Sequence, residues 1–214
     1  MIKFYKVNEE YGEFSNFSPY EVFVLGTTWK TSEHYFQARK FQDSSLVLKV
    51  MDAPSPKEAA IIGRDRNNKI RDDWESIKLD VMKEVVYAKF TQHDSLKKLL
   101  LSTGSSDIVE ASLYDTFWGE GEDGSGNNYL GKILMEVRKK IRQEHSIEVE
   151  KPWDFNSEAE PYDFFWSQGE AEDVAVNWYK YVKSLSNEEL EQYFSDNNIP
   201  ENWRQWAEPI KSRG

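Results

Sequence analysis

The sequence contains no cysteine among its 214 residues and no long apolar run. Without cysteine the protein has no disulfide, no thiolate nucleophile and no zinc–cysteine site, and we expect a reducing, cytoplasmic location. A membrane-spanning helix needs about 20 consecutive apolar residues, so we expect no membrane partner. The start, Met1–Tyr5, lacks the apolar stretch of a signal peptide. Only three histidines are present, without the spacing of metal ligands, so we predict neither a metal site nor a cofactor.

The formal net charge of −11 is unevenly distributed along the chain. Residues 1–145 carry a net charge of −2, whereas residues 146–214 carry −9 together with five of the eight tryptophans. We therefore predict two domains, 1–145 and 146–214, with a boundary at His145–Pro152. The negative total argues against a generally basic, DNA-coating surface.

Helical patterns outnumber strand patterns in the first 145 residues. Capping residues and apolar spacing predict helices over residues 31–41, 55–63, 73–88, 94–101 and 130–144. Short apolar and β-branched segments predict strands over residues 2–7, 20–25 and 108–113. The fold class expected is α+β, predominantly helical with a few short strands. Residues 146–214 are rich in aromatics among helix-like stretches, so we expect a mostly helical extension.

One polar stripe could carry chemistry. Glu33, Gln37 and Lys40 are spaced at i, i+4 and i+7, so they lie on one face of a predicted helix. A carboxylate and an ammonium on the same face suit acid–base or nucleophilic work if that face lines a pocket. The alternative, which spacing alone favours, is a solvated charged face.

Two further segments suit an anionic ligand. The arginines of 63–66 and Arg71 lie beside helix ends, where they could bind phosphate or simply form surface ion pairs. The glycine-rich loop Gly119–Asn128 could approach a ligand closely or be a flexible connection. Its glycines match G-x-G-x-x-G, but a buried strand does not clearly precede them.

A fourth segment, Tyr11–Pro19, mixes aromatic and polar residues. Phe14, Asn16 and Phe17 could form a wall for a planar ring, although the two phenylalanines also suit a core.

Taken together, these motifs resemble the NADAR (YbiA-like) family over about residues 3–143. The motif segments occur in that family's order: Gly12–Pro19, Trp29–Phe41, Gly63–Arg64, Asp73–Trp74, Met82, Lys89–Phe90, Leu100–Gly104, Asp115–Gly119 and Asn128–Arg138. The chain departs from the family at Lys30, where a proline is usual. It also carries extra carboxylates in the glycine-rich loop, which oppose polyphosphate contact there.

The resemblance implies a mostly helical α+β fold and N-glycosidase activity on ribosyl–nitrogen bonds. The implied substrates are phosphoribosylated riboflavin-pathway intermediates or ADP-ribosylated guanine, including such a base on a nucleic-acid strand. The alternative is a non-catalytic module that binds ADP-ribose or NAD. Residues 146–214 lie outside the resemblance, and we expect them to bind a protein partner, to mediate self-association or to form a lid.

Family position also suggests roles for individual residues. Glu33 or Asp115 would stabilise positive charge on the ribose, and Lys40 or Lys89 would act as a nucleophile, with Lys40 preferred because it shares a stripe with Glu33. Arg64 would bind phosphate, and two tryptophans would stack on the base or sugar. The complete set of implied substrate-binding residues is Asn16, Phe17, His34, Arg64, Trp74, Trp118, Gly119 and Asn128.

Overall fold

The computed structural model describes residues 1–211, with side chains for all of these except 145–148 and 208–211. The described chain divides into two compact units. Unit 1 comprises residues 1–100 and 106–139, and unit 2 comprises residues 101–105 and 140–214. The division near residue 140 lies inside a helix, and the domain boundary inferred from the sequence stays a prediction.

The described elements of unit 1 are short strands and longer helices. In chain order they are β1 (Ile2–Phe4), β2 (Val22–Val24), β3 (Thr27–Trp29), α1 (Ser32–Ala38), α2 (Ser44–Asp52), α3 (Pro56–Arg64), α4 (Trp74–Gln92), α5 (Asp94–Ser102), β4 (Ile108–Glu110) and α6 (Tyr129–Glu148). The last residues of α5 and of α6 belong to unit 2. The predicted α+β class is confirmed, and each helix predicted in residues 1–145 is present.

Two elements escaped the sequence analysis. The segment Ser44–Asp52 is a helix, which begins where the Asp43 side chain accepts a hydrogen bond from the Ser45 backbone amide. Residues 27–29, to which the sequence analysis assigned no strand, form β3. Strands β2 and β3 pair antiparallel because Leu25 and Gly26 both adopt positive φ, which suits a tight hairpin turn.

Strands β1 and β4 pair in parallel, with Phe4 opposite Glu110. The apolar side chains at this end of the sheet pack into the core, and Phe14 stacks edge-on with Phe4 and with Phe90 of α4. The pairing therefore places Glu110, the last residue of β4, beside the core of unit 1.

Helix α1 lies at the centre of unit 1. It packs against α2, α3 and α4, and every one of its residues is buried. The Thr31 hydroxyl caps it by accepting a hydrogen bond from the His34 amide. The solvated-face interpretation of the polar stripe is therefore wrong for Glu33 and Gln37, which are 5% and 3% exposed.

Unit 2 has its own aromatic core. Its further described elements are α7 (Pro152–Phe155), α8 (Gly169–Lys183), α9 (Asn187–Asp196) and α10 (Glu201–Lys211). Trp178 and Trp203 are almost fully buried and pack edge-to-face with 5.3 Å between ring centroids. The Trp178 indole N–H donates to the Tyr193 hydroxyl at 3.0 Å, so the buried polar atom is satisfied. The extension is mostly helical, as the sequence predicted.

Within the described chain, none of the helices combines the length and apolar character needed to cross a membrane.

Candidate active site

Unit 1 contains a narrow inner cavity of about 80 Å³ that adjoins a wider outer pocket of about 850 Å³. The two spaces share five lining residues, which are Ser15, Phe17, Arg64, Glu110 and Asp115. A ligand that spans both spaces would therefore pass between one guanidinium and two carboxyl groups.

Half of the predicted site residues line the inner cavity. These are Asn16, Phe17, Glu33, Arg64, Asp115 and Trp118. They come from the loop before β2, from α1, from the end of α3 and from the segment after β4, so the fold assembles them from distant parts of the sequence. Of the two phenylalanines in the first motif, Phe14 is a core residue and Phe17 faces the cavity.

Glu33 has one well-defined hydrogen bond, because the Gln37 side-chain amide donates to its Oε1 at 2.7 Å. Burial raises the pKa of this carboxyl, whereas the Gln37 hydrogen bond and the positive charges of Arg64 and Lys40 lower it. Burial has the larger effect, so the pKa of Glu33 is raised overall, and the donor and the two cations limit that rise. In its carboxylate form Glu33 can stabilise a developing positive charge.

The Asp115 carboxylate is oriented by backbone amides that follow it in the chain. Its Oδ1 accepts hydrogen bonds from the amides of Phe117 and Trp118, at 2.9 and 2.7 Å, which forms an Asx turn. The same turn presents the Trp118 ring to the cavity, where it packs edge-on against Phe36.

Arg64 and Arg71 differ in environment. Arg64 lines both spaces, and its positive charge lowers the pKa of Glu33 against the larger effect of burial. Arg71 instead forms a two-pronged ion pair with Asp73, which is the ordinary interpretation of that motif.

The two candidate lysines have different environments, and neither is among the cavity-lining residues. Lys40 is partly exposed, and its Nζ donates to the Gly63 carbonyl at 3.0 Å. Burial lowers the pKa of Lys40, and the negative charge of Glu33 opposes that effect. Lys40 also lies over the rings of Phe36 and Trp74, with 5.8 Å from Nζ to each centroid.

Lys89 is 1% exposed and donates to three oxygens of the loop before β2. Its partners are the Glu13 carbonyl, the Ser15 carbonyl at 2.9 Å and the Ser18 hydroxyl at 2.6 Å. Burial lowers the pKa of Lys89 to about 7. Three acceptors nevertheless match the three N–H donors of an ammonium, so the geometry is that of the charged form. We conclude that Lys89 holds the loop that carries Asn16.

Three other predicted binding residues have structural partners. The ring nitrogens of His34 bond the Thr31 hydroxyl and the Ala53 carbonyl, and burial lowers the pKa of this histidine. The Asn128 side chain bridges the Glu110 amide and the Ile108 carbonyl. Trp74 is buried against Phe36, 5.1 Å between centroids. None of the three is a cavity-lining residue.

Gly119 is also a packing residue. A side chain there would bring its Cβ within 2.8 Å of the Glu110 carbonyl oxygen and 2.9 Å of the Ser112 Cβ. The glycine is required because the loop lies directly on the end of β4. The close approach that Gly119 allows is therefore between the loop backbone and the end of β4.

The sequence analysis missed Glu110, which lines both spaces. The only local signal was an acidic residue at the end of an apolar strand pattern. It also left Gln37 as a member of the stripe without a role. Three buried polar atoms of the cavity residues lack a hydrogen-bond partner in the described structure: Asn16 Oδ1, Gln37 Oε1 and Glu110 Oε2. Such orphaned atoms are typical of a site that awaits a ligand.

Metal ligands are not grouped in the described part of the chain. No set of three or more histidine, aspartate or glutamate side chains there is placed to hold a metal ion.

Comparison with known proteins agrees with the resemblance seen in the motifs. The NADAR domain description matches residues 3–142. The N-glycosidase YbiA of Escherichia coli (strain K12) is 45% identical over 141 residues, which cover 66% of this chain and 88% of that protein. Riboflavin biosynthesis protein PYRR, chloroplastic, of Zea mays is 44% identical over 156 residues, which cover 66% of this chain and 25% of that protein.

A solved structure is similar as well. The NMR structure of E. coli YbiA aligns with a TM-score of 0.64 and 45% identity, covering 67% of this chain and 86% of that chain. Every residue that lines the two spaces falls within residues 3–142. The chain belongs to the NADAR domain family.

Proposed function

We propose that this protein is an N-glycosidase that hydrolyses the C1′–N bond between a ribose and a nitrogenous group. The observation that carries the proposal is the inner cavity, in which Glu33 and Asp115 face the same small space as Arg64. Breaking a glycosidic bond places positive charge on the sugar ring, and flanking carboxylates stabilise that charge. The name of the E. coli relative, an N-glycosidase, supports the same reaction.

The substrate that we propose first is a phosphoribosylated intermediate of riboflavin synthesis. Arg64 lies where the inner cavity joins the outer pocket, so its guanidinium can bind a phosphate while the ribose occupies the inner cavity. Trp118 would stack on the sugar or base. The name of the maize relative supports this substrate class.

An ADP-ribosylated guanine is the second candidate, and the outer pocket favours it. That pocket is wide, and Lys6, Tyr5 and Tyr114 add a second cation and two aromatic rings to its wall. A diphosphate and an adenine have matching groups there.

Of the two candidate lysines, Lys40 is the better placed to form a Schiff base with a ring-opened sugar. Its Nζ has one hydrogen-bond acceptor, the Gly63 carbonyl, and its charge is coupled to Glu33. The rings beneath it would shelter an imine from water.

The test is direct detection of the released base. The purified protein is incubated with the phosphoribosylaminopyrimidine intermediate or with ADP-ribosylated guanosine, and products are separated by chromatography. We expect one base to be released by the wild type and release to fall at least about 100-fold in Glu33→Gln, which removes the negative charge but keeps the shape. Glu122→Gln, an exposed loop change, is the matched control.

The outcomes separate the hypotheses. Release of the pyrimidine or of guanosine identifies the substrate class. Binding of ADP-ribose without any product would contradict the enzyme proposal and support the binding module. Unchanged turnover in Glu33→Gln would remove Glu33 from the mechanism.

A further inference from the structure

The backbone of Glu110 is hydrogen-bonded through both its amide and its carbonyl. It ends β4, where Phe4 of β1 lies opposite. Its amide donates to Asn128 Oδ1 at 3.0 Å, and its carbonyl accepts from the Glu120 amide at 2.9 Å. Because both backbone groups are held, the backbone from which the Glu110 side chain projects is fixed before any ligand binds.

The carboxyl group itself is not held by the protein. Glu110 Oε2 is buried and has no hydrogen-bond partner among the described residues, although the residue lines both the inner cavity and the outer pocket. A buried carboxylate oxygen without a donor is costly, whereas a protonated carboxyl carries its own donor. The environment therefore favours the protonated form with its O–H facing the site.

The charges around Glu110 also favour its protonated form. Burial, then the negative charges of Asp115 and Glu33, raise the pKa of Glu110 to about 7. The cation that lines the same cavity is Arg64. At Glu33 the Gln37 donor and the charges of Arg64 and Lys40 oppose the rise in pKa that burial causes, whereas Glu110 Oε2 has no donor among the described residues.

We propose that Glu110 is the general acid of the N-glycosidase reaction. This role rests on the function proposed above. As the C1′–N bond breaks, its electron pair stays on the nitrogen, which takes the proton from the Glu110 carboxyl. After the Lys40 amine has taken up C1′ as an imine, a water molecule adds to C1′, the amine leaves, and a proton returns to the Glu110 carboxylate, which restores the enzyme. Glu33 and Asp115 face the same cavity and are placed to stabilise the sugar cation.

The test compares pH profiles of kcat for wild type, Glu110→Gln and Glu110→Asp with the substrate found in the assay above. A general acid contributes about 100- to 10,000-fold, so Glu110→Gln is expected to lose activity on that scale. Wild-type kcat should fall as pH rises through about 7, where the proton is lost. That fall should vanish in Glu110→Gln, while Glu110→Asp should recover part of the rate and keep a pH-dependent fall. Glu122→Gln should match wild type.

A second measurement does not depend on turnover. Infrared spectroscopy of wild type should show a protonated carboxyl band at pH 6 that disappears by pH 8, around the pKa of about 7. The band should be absent from Glu110→Gln. An active Glu110→Gln that keeps the wild-type alkaline fall, or a wild type without the titrating band, would overturn the acid role. A wild type inactive on both substrates would instead refute the proposed function.

Discussion

Replacing Lys89 with methionine tests whether this lysine has a structural or a catalytic role. The ammonium is 1% exposed and donates to the Glu13 and Ser15 carbonyls and to the Ser18 hydroxyl. These three acceptors belong to the loop that carries Asn16 into the inner cavity. Methionine has a similar length and apolar stem but no donor, so the change removes the hydrogen bonds and leaves the packing.

The size of the effect follows from the acceptors left behind. The Ser18 hydroxyl has one proton, and it can serve the Ser15 carbonyl at 2.7 Å or the Glu13 carbonyl at 3.1 Å, but not both. The Ser15 carbonyl keeps the Ser18 amide at 3.1 Å as a donor, but both carbonyls lose the charged donor, and a hydrogen bond to a charged group is worth about 1.5–3 kcal/mol. We therefore expect the free energy of unfolding of unit 1 to fall by about 2 kcal/mol. Turnover should fall as well, because Asn16 and its neighbours lose their support.

The assay is urea unfolding followed by circular dichroism, with turnover measured on the same samples. Lys40→Met is the comparison, since its Nζ is partly exposed and has the single acceptor Gly63, so its unfolding midpoint should move less. Borohydride trapping during turnover then shows which lysine carries the sugar. Lys89→Met with unchanged stability, abolished turnover and a trapped adduct on Lys89 in the wild type would refute the structural role.

Two further predictions concern positions that are not among the residues lining either space. In Gly63→Ala, the new Cβ would lie 2.7 Å from Gln37 Cδ, so the Gln37 side chain must move and its 2.7 Å hydrogen bond to Glu33 breaks. We expect kcat to fall about 10-fold or more. When Gln37→Ala is already present, Gly63→Ala should cause a smaller additional loss of kcat. Equal losses in both backgrounds would contradict the clash. In unit 2, burial opposes ionisation of Glu189, but a capping hydrogen bond from a backbone amide and the Arg142 guanidinium lower its pKa overall. Its contribution to stability is therefore present above the unfolded-state pKa and lost as pH falls through the folded-state pKa, below about 4.5. Glu189→Gln should flatten this acid loss in thermal melts at pH 3–6, and an unchanged slope would contradict it.

Local sequence predicted the helices of residues 1–145 because their caps and apolar spacing are local properties. Ser55–Pro56 opens α3 with a serine cap and a proline in the first turn, as the sequence indicated. Helix α2 was missed although Leu46, Val47 and Val50 have helical spacing in the sequence. Leu48, which is 56% exposed, interrupts that pattern. Strand β3 was missed because Leu25 is a poor indicator of the positive φ that the hairpin turn requires.

The site was predictable to the extent that motifs marked its residues. Motif positions identified Glu33, Arg64 and Asp115, which the fold brings to one cavity. They also suggested His34 and Asn128, whose side chains are used inside the protein. A residue type in a motif position does not show whether its polar atoms face a ligand or a backbone carbonyl.

The sequence by itself determined the α+β class, the family, the uneven distribution of charge and the absence of thiol chemistry, since composition and short-range patterns carry those properties. Only the tertiary structure decided that Glu33 is buried beside Arg64, that Lys89 supports a loop, and that Glu110 completes a group of three carboxyls. The reason is physical. Burial and the proximity of charges from distant segments set the protonation state of a carboxyl, and neither is encoded within a few residues of it.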